Sequence, residues 1–371
     1  MDAAAVYLAL PEPDRAQHLW RYTPWHRIHP TGKHGYLPES TGPATLSLSL
    51  LDGTDAPEGI AITAASDDEL TELCAAPHDD IASALIRSLS IGQAVVLRVP
   101  RGTRLDQPLR LDVKAEGQVC SLHLLVDIGT MAELEIVTSV TGDAAWFGML
   151  REGNIGAGTH VNDVVVNQLG AGQMLRVDGI SIDRDSQVRA GTVGAGAKQA
   201  KADLRYELTG PGASVLVNGS MTSMGEQHND HHIEILHEAP ETFSRLAWNS
   251  ACGGKSRTVG TGMLRIVHGA KGSDASQLFH NLLLSDNAEA DSIPELEVLE
   301  NEVVGCGHGT ANGPIDEDQI FYLHSRGFSE AGARAVLISA FLNATLTEMG
   351  SETLHRWLNN LLSGGLPDLT I

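Results

Sequence analysis

The chain has 371 residues, enough to bury a sizeable core and hold two or three subdomains, with 47 acidic against 25 basic residues and a formal net charge of -22. That balance opposes nucleic-acid phosphates and anionic membrane surfaces, so neither is expected as a partner. The four cysteines, Cys74, Cys120, Cys252 and Cys306, lie far apart with no CxxC pair, which argues against a disulfide framework or a closed zinc knuckle and leaves reduced thiols as the expectation.

The N-terminal MDAAAVYLALPEPDR has neither the basic start nor the apolar block of a secretory signal, and no 18-residue apolar run occurs in the sequence. A cytoplasmic protein without a membrane span is expected. TLSLSLLDGT, from Thr45, alternates as a short strand. DDELTELCAA and DDIASALIRSLS (Asp79 to Ser90) each place acidic residues before an apolar periodic run, and the second stops ahead of Gly92; both read as short helices. Residues 1–94 are therefore expected to form a mostly helical domain.

From Val95 to about residue 313 the texture is β. VVLRV, LRLDV, LHLLVDI, ELEIVTSV, VNDVVVNQL, MLRVDGISI, DLRYELTG, ASVLVNGSM and HIEIL follow one another, separated by turns such as GAGTHVND, GAGQMLRV and GPGASVLV. No long helical pattern interrupts them, which excludes an alternating β-α-β architecture. Stacked β coils suit this degenerate, unequal repeat, because each coil needs only an inward apolar row and a small turn residue. Periodicity alone leaves the solenoid and the sandwich both open.

Two apparent phosphate motifs fail on inspection. ACGGKSRTVG has Asn249 where a phosphate-binding loop needs its first glycine, and a strand-like TVGTGMLRIV follows where a helix is required. GAGAK, Gly194 to Lys198, lacks the third glycine and the helix of a dinucleotide loop. Sixteen histidines invite a metal reading, and HNDHHIEILHEAP holds His228, His231, His232 and His237. On a strand, His232 and Glu234 face one way while Ile233, Ile235 and His237 face the other, so no three of the histidines converge obviously.

The stretch VVGCGHGTANGP, from Val303, sets Cys306 and His308 two apart among glycines, read here as a glycine-rich turn. Thiolate sulfur and imidazole nitrogen suit iron, zinc or an iron–sulfur cluster, but two ligands are too few, and any cluster would need donors from another segment or chain. A nucleophile–base pair and a plain structural corner remain alternatives. Beyond Pro314, residues 314–371 read as helical. Asp316 with Gln319 resembles a capping box, Phe321, Tyr322 and Leu323 give an apolar face, and Gly327 suits a left-handed stop. Ser329 then opens a second helix with the apolar stripe Val336, Leu337, Ala340, Phe341 and Ala344, and SETLHRWLNNLL forms one more before LPDLTI.

QLFHNLLLSDNAEADSIPELEVLENEVVGCGHGTANGPIDEDQIFYLHSRG, Gln277 to Gly327, resembles the C-terminal signature of the SufB/SufD family of iron–sulfur cluster assembly proteins. NLLLS, the Pro-Glu-Leu-Glu of Pro294 to Glu297, Cys306-x-His308-Gly309 and DEDQIFYLHSRG occur in order. The likeness extends more weakly upstream to about Leu97, and HLWRYTP resembles the family's opening helix. It implies a mainly β fold, a right-handed parallel β-helix between helical N- and C-terminal domains. It further implies a non-catalytic scaffold that pairs with a SufB-like subunit and binds a SufC-like ABC ATPase through Pro314 to Met349, with Asp316, Gln319, Phe321, Tyr322, Arg326 and Phe341 as contact residues. Gly307-His308-Gly309 stands where SufB-like chains carry Glu-His-Glu, which places the chain on the SufD-like side. By resemblance, His308, with Cys306 beside it, is then an interface site for iron or a nascent cluster shared with the partner. A homodimeric scaffold, or a stand-alone metal enzyme built on the histidine-rich strand, are the alternatives.

Overall fold

The computed structural model describes residues 3–74, 80–194 and 196–365; Ala75, Ala76 and Asp79 of the two early helix readings, Ala195 of GAGAK and the tail after Gly365 lie outside them. The N-terminal part runs α1 (Ala3–Ala9), α2 (His18–Arg21), α3 (Trp25–Ile28), β1 (Gly42–Pro43), β2 (Thr45–Leu50), β3 (Ala61–Ala64), α4 (Asp67–Glu72) and α5 (Ile81–Leu89). The acidic starts do what their chemistry predicts. Ser66 and Glu69 close a reciprocal capping box on α4, and the Asp80 carboxylate accepts from the Ser83 backbone N–H to cap α5.

There follow β4 (Val95–Val99), β5 (Leu109–Lys114), β6 (Val119–Ile128), β7 (Glu133–Thr141), β8 (Trp146–Ile155), β9 (His160–Asn167), β10 (Gln173–Ile182) and β11 (Gln187–Gly194). The series continues with β12 (Gln199–Leu208), β13 (Ser214–Ser223), β14 (His228–His237), β15 (Phe243–Cys252), β16 (Arg257–Ile266), β17 (Asp274–Leu283), β18 (Glu289–Val298) and β19 (Gly305–Pro314). The chain ends in α6 (Glu317–Ser325), α7 (Glu330–Leu346) and α8 (Glu352–Gly365).

Among β4 to β19, even-numbered strands pair with even-numbered ones and odd with odd, all parallel. Val119, Trp146, Gln173, Gln199, His228, Arg257 and Glu289 stack at one register position of the even sheet, coil upon coil. This is a parallel β-solenoid, not a sandwich. β2 and β3 lie antiparallel to β5 and β4 and extend the two sheets at the N-terminal end.

Alternation along each strand divides two apolar layers. In β8, Phe147, Met149 and Ile155 enter the core between the sheets, while Trp146 and Leu150 face outward beneath the N-terminal helices with Trp25, Ile81, Leu85 and Ile86. On the odd sheet, Val137, Val164, Val166 and Val193 face outward and are covered by Leu346, Leu354, Leu358 and Leu362 of the C-terminal helices. The helices are thus plates on the flanks of the solenoid. Each such buried aliphatic side chain contributes about 1.5–3 kcal/mol relative to exposure, which explains why these strands read as nearly continuous apolar runs.

The interior is not wholly apolar. Arg151 reaches Asp163 on the facing sheet at 2.6 Å and Asp178 on the next coil at 2.9 Å, and Arg176 shares Asp178 at 2.6 Å. These ions are almost fully buried and paired, the only condition under which the interior tolerates them.

Candidate functional site

The last coil carries the cysteine and histidine singled out in the sequence. Cys306-Gly307-His308 is not a turn: it lies in β19, paired in register with β17, Ala275 opposite Cys306 and Gln277 opposite His308. Glycine's low strand preference is overridden by the ladder that β17 offers. The spacing of two then has a definite meaning, because both side chains point to the same face, one pleat or about 6.5–7 Å apart. That face is the interior one: Ala275 and Phe279 of β17 belong to the core, and Cys306 packs at its edge.

The core changes character here. Gln277 donates through Nε2 to the Glu295 carbonyl at 2.8 Å, and Asn281 Nδ2 donates to both Ser292 Oγ and Asn312 Oδ1 at 2.8 Å. The amide of Gln277 thus stands where the two preceding coils carry Leu246 and Val217, and that of Asn281 where they carry Ser250 and Met221. β18 and β19 end their sheets, so among the described residues no further strand pairs with their outer edges. Cys306 is half-buried and His308 exposed at this open end, with Leu296, Val298, Leu299 and Val304 showing apolar surface, Val304 at 74%. A Cβ at Gly307 would meet nothing within 4 Å. Burial pushes the Cys306 thiol above its usual pKa, and the Asp274 carboxylate adds to the shift. Cys306 and His308 belong to no group of three His, Cys, Asp or Glu donors within chelating range among the described residues, so an ion held there needs donors from outside this set.

α6 follows β19 directly. Asp316 caps it by accepting from the Asp318 N–H, and Gly327 takes the left-handed conformation that ends it. Ile320 is buried, whereas Phe321 and Tyr322 are 73% and 57% exposed, and Asp316, Gln319 and Arg326 are exposed with them. The Arg326 guanidinium stacks over the Tyr322 ring at 5.1 Å. α7, capped by Ser329, packs on β13 and β15 through Leu342, and its Phe341 carbonyl accepts from Asn249 Nδ2 at 2.7 Å. Phe341 is half-buried there, while Val336, Ala340 and Ala344 of the stripe read from the sequence are exposed.

The histidines of β14 diverge. His228 bonds Thr23 at 2.8 Å, His232 bonds Asp203 at 2.8 Å, and His237 bonds Thr242 and Ser244, each at 2.8 Å. His231 is buried against Trp248, ring centroids 5.2 Å apart, and burial depresses its pKa to about 3. The strand's imidazoles are tied into separate local networks.

One grouping escaped the sequence reading. Cys74 after α4, His123 on β6 and Glu152 on β8 place their ligand atoms within 4.8 Å of one another. His123 Nε2 lies 2.8 Å from Glu152 Oε2, and Arg87 of α5 donates to Glu152 through both Nε and an Nη. Burial works to raise the Glu152 carboxyl, but the His123 hydrogen bond and the Arg87 charge outweigh it and hold it at about 2. Burial, with the Glu152 charge, pushes the Cys74 thiol up to about 11. Residues this far apart in the chain leave no spacing motif to find.

A family profile described as SUF system FeS cluster assembly, SufBD core domain, matches residues 111–341, from β5 into α7. An iron–sulfur cluster assembly SufBD family protein of Mycobacterium tuberculosis is 27% identical over 347 residues, 91% of this chain and 85% of that protein. One of Mycobacterium leprae is 25% identical over 91% of this chain and 86% of its own length. The iron–sulfur cluster assembly protein SufD of Escherichia coli is 32% identical over 142 residues, 38% of this chain and 33% of that protein.

Proposed function

The chain belongs to the SufBD family of SUF-system iron–sulfur cluster assembly proteins, and on that premise we propose that it is a non-catalytic, SufD-like scaffold subunit. Its open coil β18/β19 docks edge to edge on the matching end of a SufB-like subunit, completing both ladders. Cys306 and His308 supply part of a shared site where iron or a nascent cluster, the cargo of the assembly, is held between subunits. α6 and α7 receive a SufC-like ABC ATPase, with Asp316, Gln319, Phe321, Tyr322 and Arg326 on the docking face and Phe341 bracing α7. The units expected from the sequence, 1–94, 95–313 and 314–371, take the roles of flank cover, scaffold and ATPase platform. A cytoplasmic setting fits a chain in which, among the described residues, no helix is long and apolar enough to cross a membrane.

The observation that carries this reading is a strand edge that no other strand covers among the described residues, with two soft-metal ligands on that same last strand. Because only Ile315 and Asp316 separate β19 from α6, a pull on the ATPase platform reaches the ligand strand first. A homodimer is the second reading, since two copies of one edge related by a two-fold axis pair antiparallel without any new complementarity. Co-expression with a SufB-like chain and a SufC-like ATPase, followed by purification on a tag carried by this chain, tests the proposal. All three chains recovered with bound iron and sulfide support it; recovery of this chain alone, or only as a dimer of itself, rejects the heterodimer.

A further inference from the structure

We propose that Cys74, His123 and Glu152 form a binding site for a divalent transition-metal ion of the Zn²⁺ or Fe²⁺ class, separate from the solenoid end and open on one side to solvent. The donor set is mixed thiolate, imidazole and carboxylate, which suits borderline cations and disfavours Mg²⁺ or Ca²⁺. Its three members come from the segment after α4 and from two adjacent strands, β6 and β8, so the solenoid fixes two of them rigidly. A tetrahedral ion with bonds of about 2.0–2.3 Å spaces its donors by about 3.3–3.8 Å. His123 and Glu152 stand 2.8 Å apart, closer than that range, and every donor atom of the group lies within 4.8 Å of the others. Binding needs the His123–Glu152 hydrogen bond to open by roughly half an ångström.

Arg87 decides how the carboxylate is presented. Its Nη donates to Glu152 Oε1 and its Nε to Oε2 at 3.3 Å, so the carboxylate is held from behind by the guanidinium while Oε2 also meets His123. Such support of a ligating carboxylate is what orients it in metal sites. The guanidinium also opposes a second positive charge, but the thiolate and carboxylate together carry two negative charges, so the occupied site stays within one unit of neutrality.

The site has access. A cleft of about 920 Å³ between the N-terminal helices and the even sheet is lined by Val6, Leu70, Cys74, Arg87, Ile91 and His123. With Cys74 and His123 on the wall of the cleft and Glu152 buried beside them, three protein donors leave a fourth position for a small exogenous ligand, the arrangement of reactive rather than purely structural sites. Arg87, facing the same cleft, favours an anionic occupant such as a thiolate, sulfide or hydroxide.

The test uses the purified full chain, stripped of metal and titrated with Co²⁺ and then Zn²⁺. One equivalent of Co²⁺ with a thiolate-to-metal charge-transfer band, displaced by Zn²⁺, is the expected result. Cys74→Ser abolishes the band and His123→Gln weakens Zn²⁺ binding at least tenfold, while Cys306→Ser and His308→Ala leave both unchanged. Thermal melts accompany each variant; should His123→Gln fail to fold, Cys74→Ser, at a half-buried position after a helix end, decides the outcome. No charge-transfer band in the wild type, a band that persists in Cys74→Ser, or one lost in Cys306→Ser overturns the assignment. Since no partner chain is present, failure here leaves the reading of the solenoid end untouched, and failure of that reading leaves this site untouched.

Discussion

At the scale of single residues, the exposed and the buried histidines answer to different tests. His308 stands exposed on the last strand beside a glycine with open space around it, so His308→Ala should change stability by less than about 1 kcal/mol. The check is a denaturant melt of the isolated variant; a larger loss would make His308 a structural residue. His231, His29 and His237 behave oppositely, because burial holds their pKa values down at about 3, 4 and 4. The unfolded chain protonates them near pH 6.5 and the folded chain does not. Their contribution to stability is therefore complete above about pH 6.5 and is lost as the pH falls from there toward about 4. Carboxylates held low, such as Glu152 at about 2, lose their contribution only below about pH 4.5, so they do not account for any loss above it. Melting temperature should already fall between about pH 6.5 and 5, and His231→Gln should flatten that slope. A flat profile down to pH 5 would contradict the account of these buried imidazoles.

At the scale of elements, α6 joins a buried Ile320 to an exposed Phe321 and Tyr322, so its outer face can be altered without touching its packing. Phe321→Glu with Tyr322→Glu should abolish co-purification of a SufC-like ATPase while leaving the melting temperature within about 2 °C. Undiminished ATPase recovery would remove α6 as the platform. Deleting α7 instead would be uninformative, since Leu342 and Leu346 bury against the solenoid. Within the stack, a Cβ at Gly219 would sit 2.1 Å from the Trp248 ring on the next coil; Gly219→Ala should cost about 1–3 kcal/mol, read from urea midpoints, and an unchanged midpoint would show that Trp248 has room to move. The acidic start at Asp80, the Ser329 cap and the stop at Gly327 were readable because each is local chemistry over a few residues, while Asp316 caps α6 through the Asp318 N–H and not in the box with Gln319 that the spacing suggested, and the Ser66 cap of α4 was not singled out. The pairing of β17 with β19 was not readable: glycines mark Cys306-Gly307-His308 as a turn, and only a partner strand one coil away makes it a strand. Likewise β14 displayed four histidines in one short stretch, but Thr23, Asp203 and Thr242, which engage three of them, lie on other segments. The trio of Cys74, His123 and Glu152 exists only because coiling stacks β6 beside β8.

At the scale of the molecule, the solenoid is covered on both flanks and extended at its N-terminal end by β2 and β3, while at the other end no strand among the described residues pairs with the outer edges of β18 and β19, and the interior there is lined by amides. The N-terminal part reaches the same region: His18 of α2 lies 2.7 Å from Glu295 of β18, so the helices that cover the even sheet touch the last coil as well. A fold of stacked coils depends mainly on neighbour contacts, so a partner docking on the last coil adds one more such interface without reorganising the rest. Mixing this chain with a SufB-like partner should convert both to a heterodimer by light scattering, and Val304→Asp with Val298→Asp should prevent it without unfolding either chain. The central claim, that the open end is an inter-subunit cluster site, is tested most directly by the iron and acid-labile sulfide carried by the complex of this chain with SufB-like and SufC-like partners. The account predicts that the His308→Ala complex assembles with normal subunit stoichiometry yet carries sharply less iron and sulfide than the wild type; a fully assembled His308→Ala complex with wild-type iron and sulfide would contradict it.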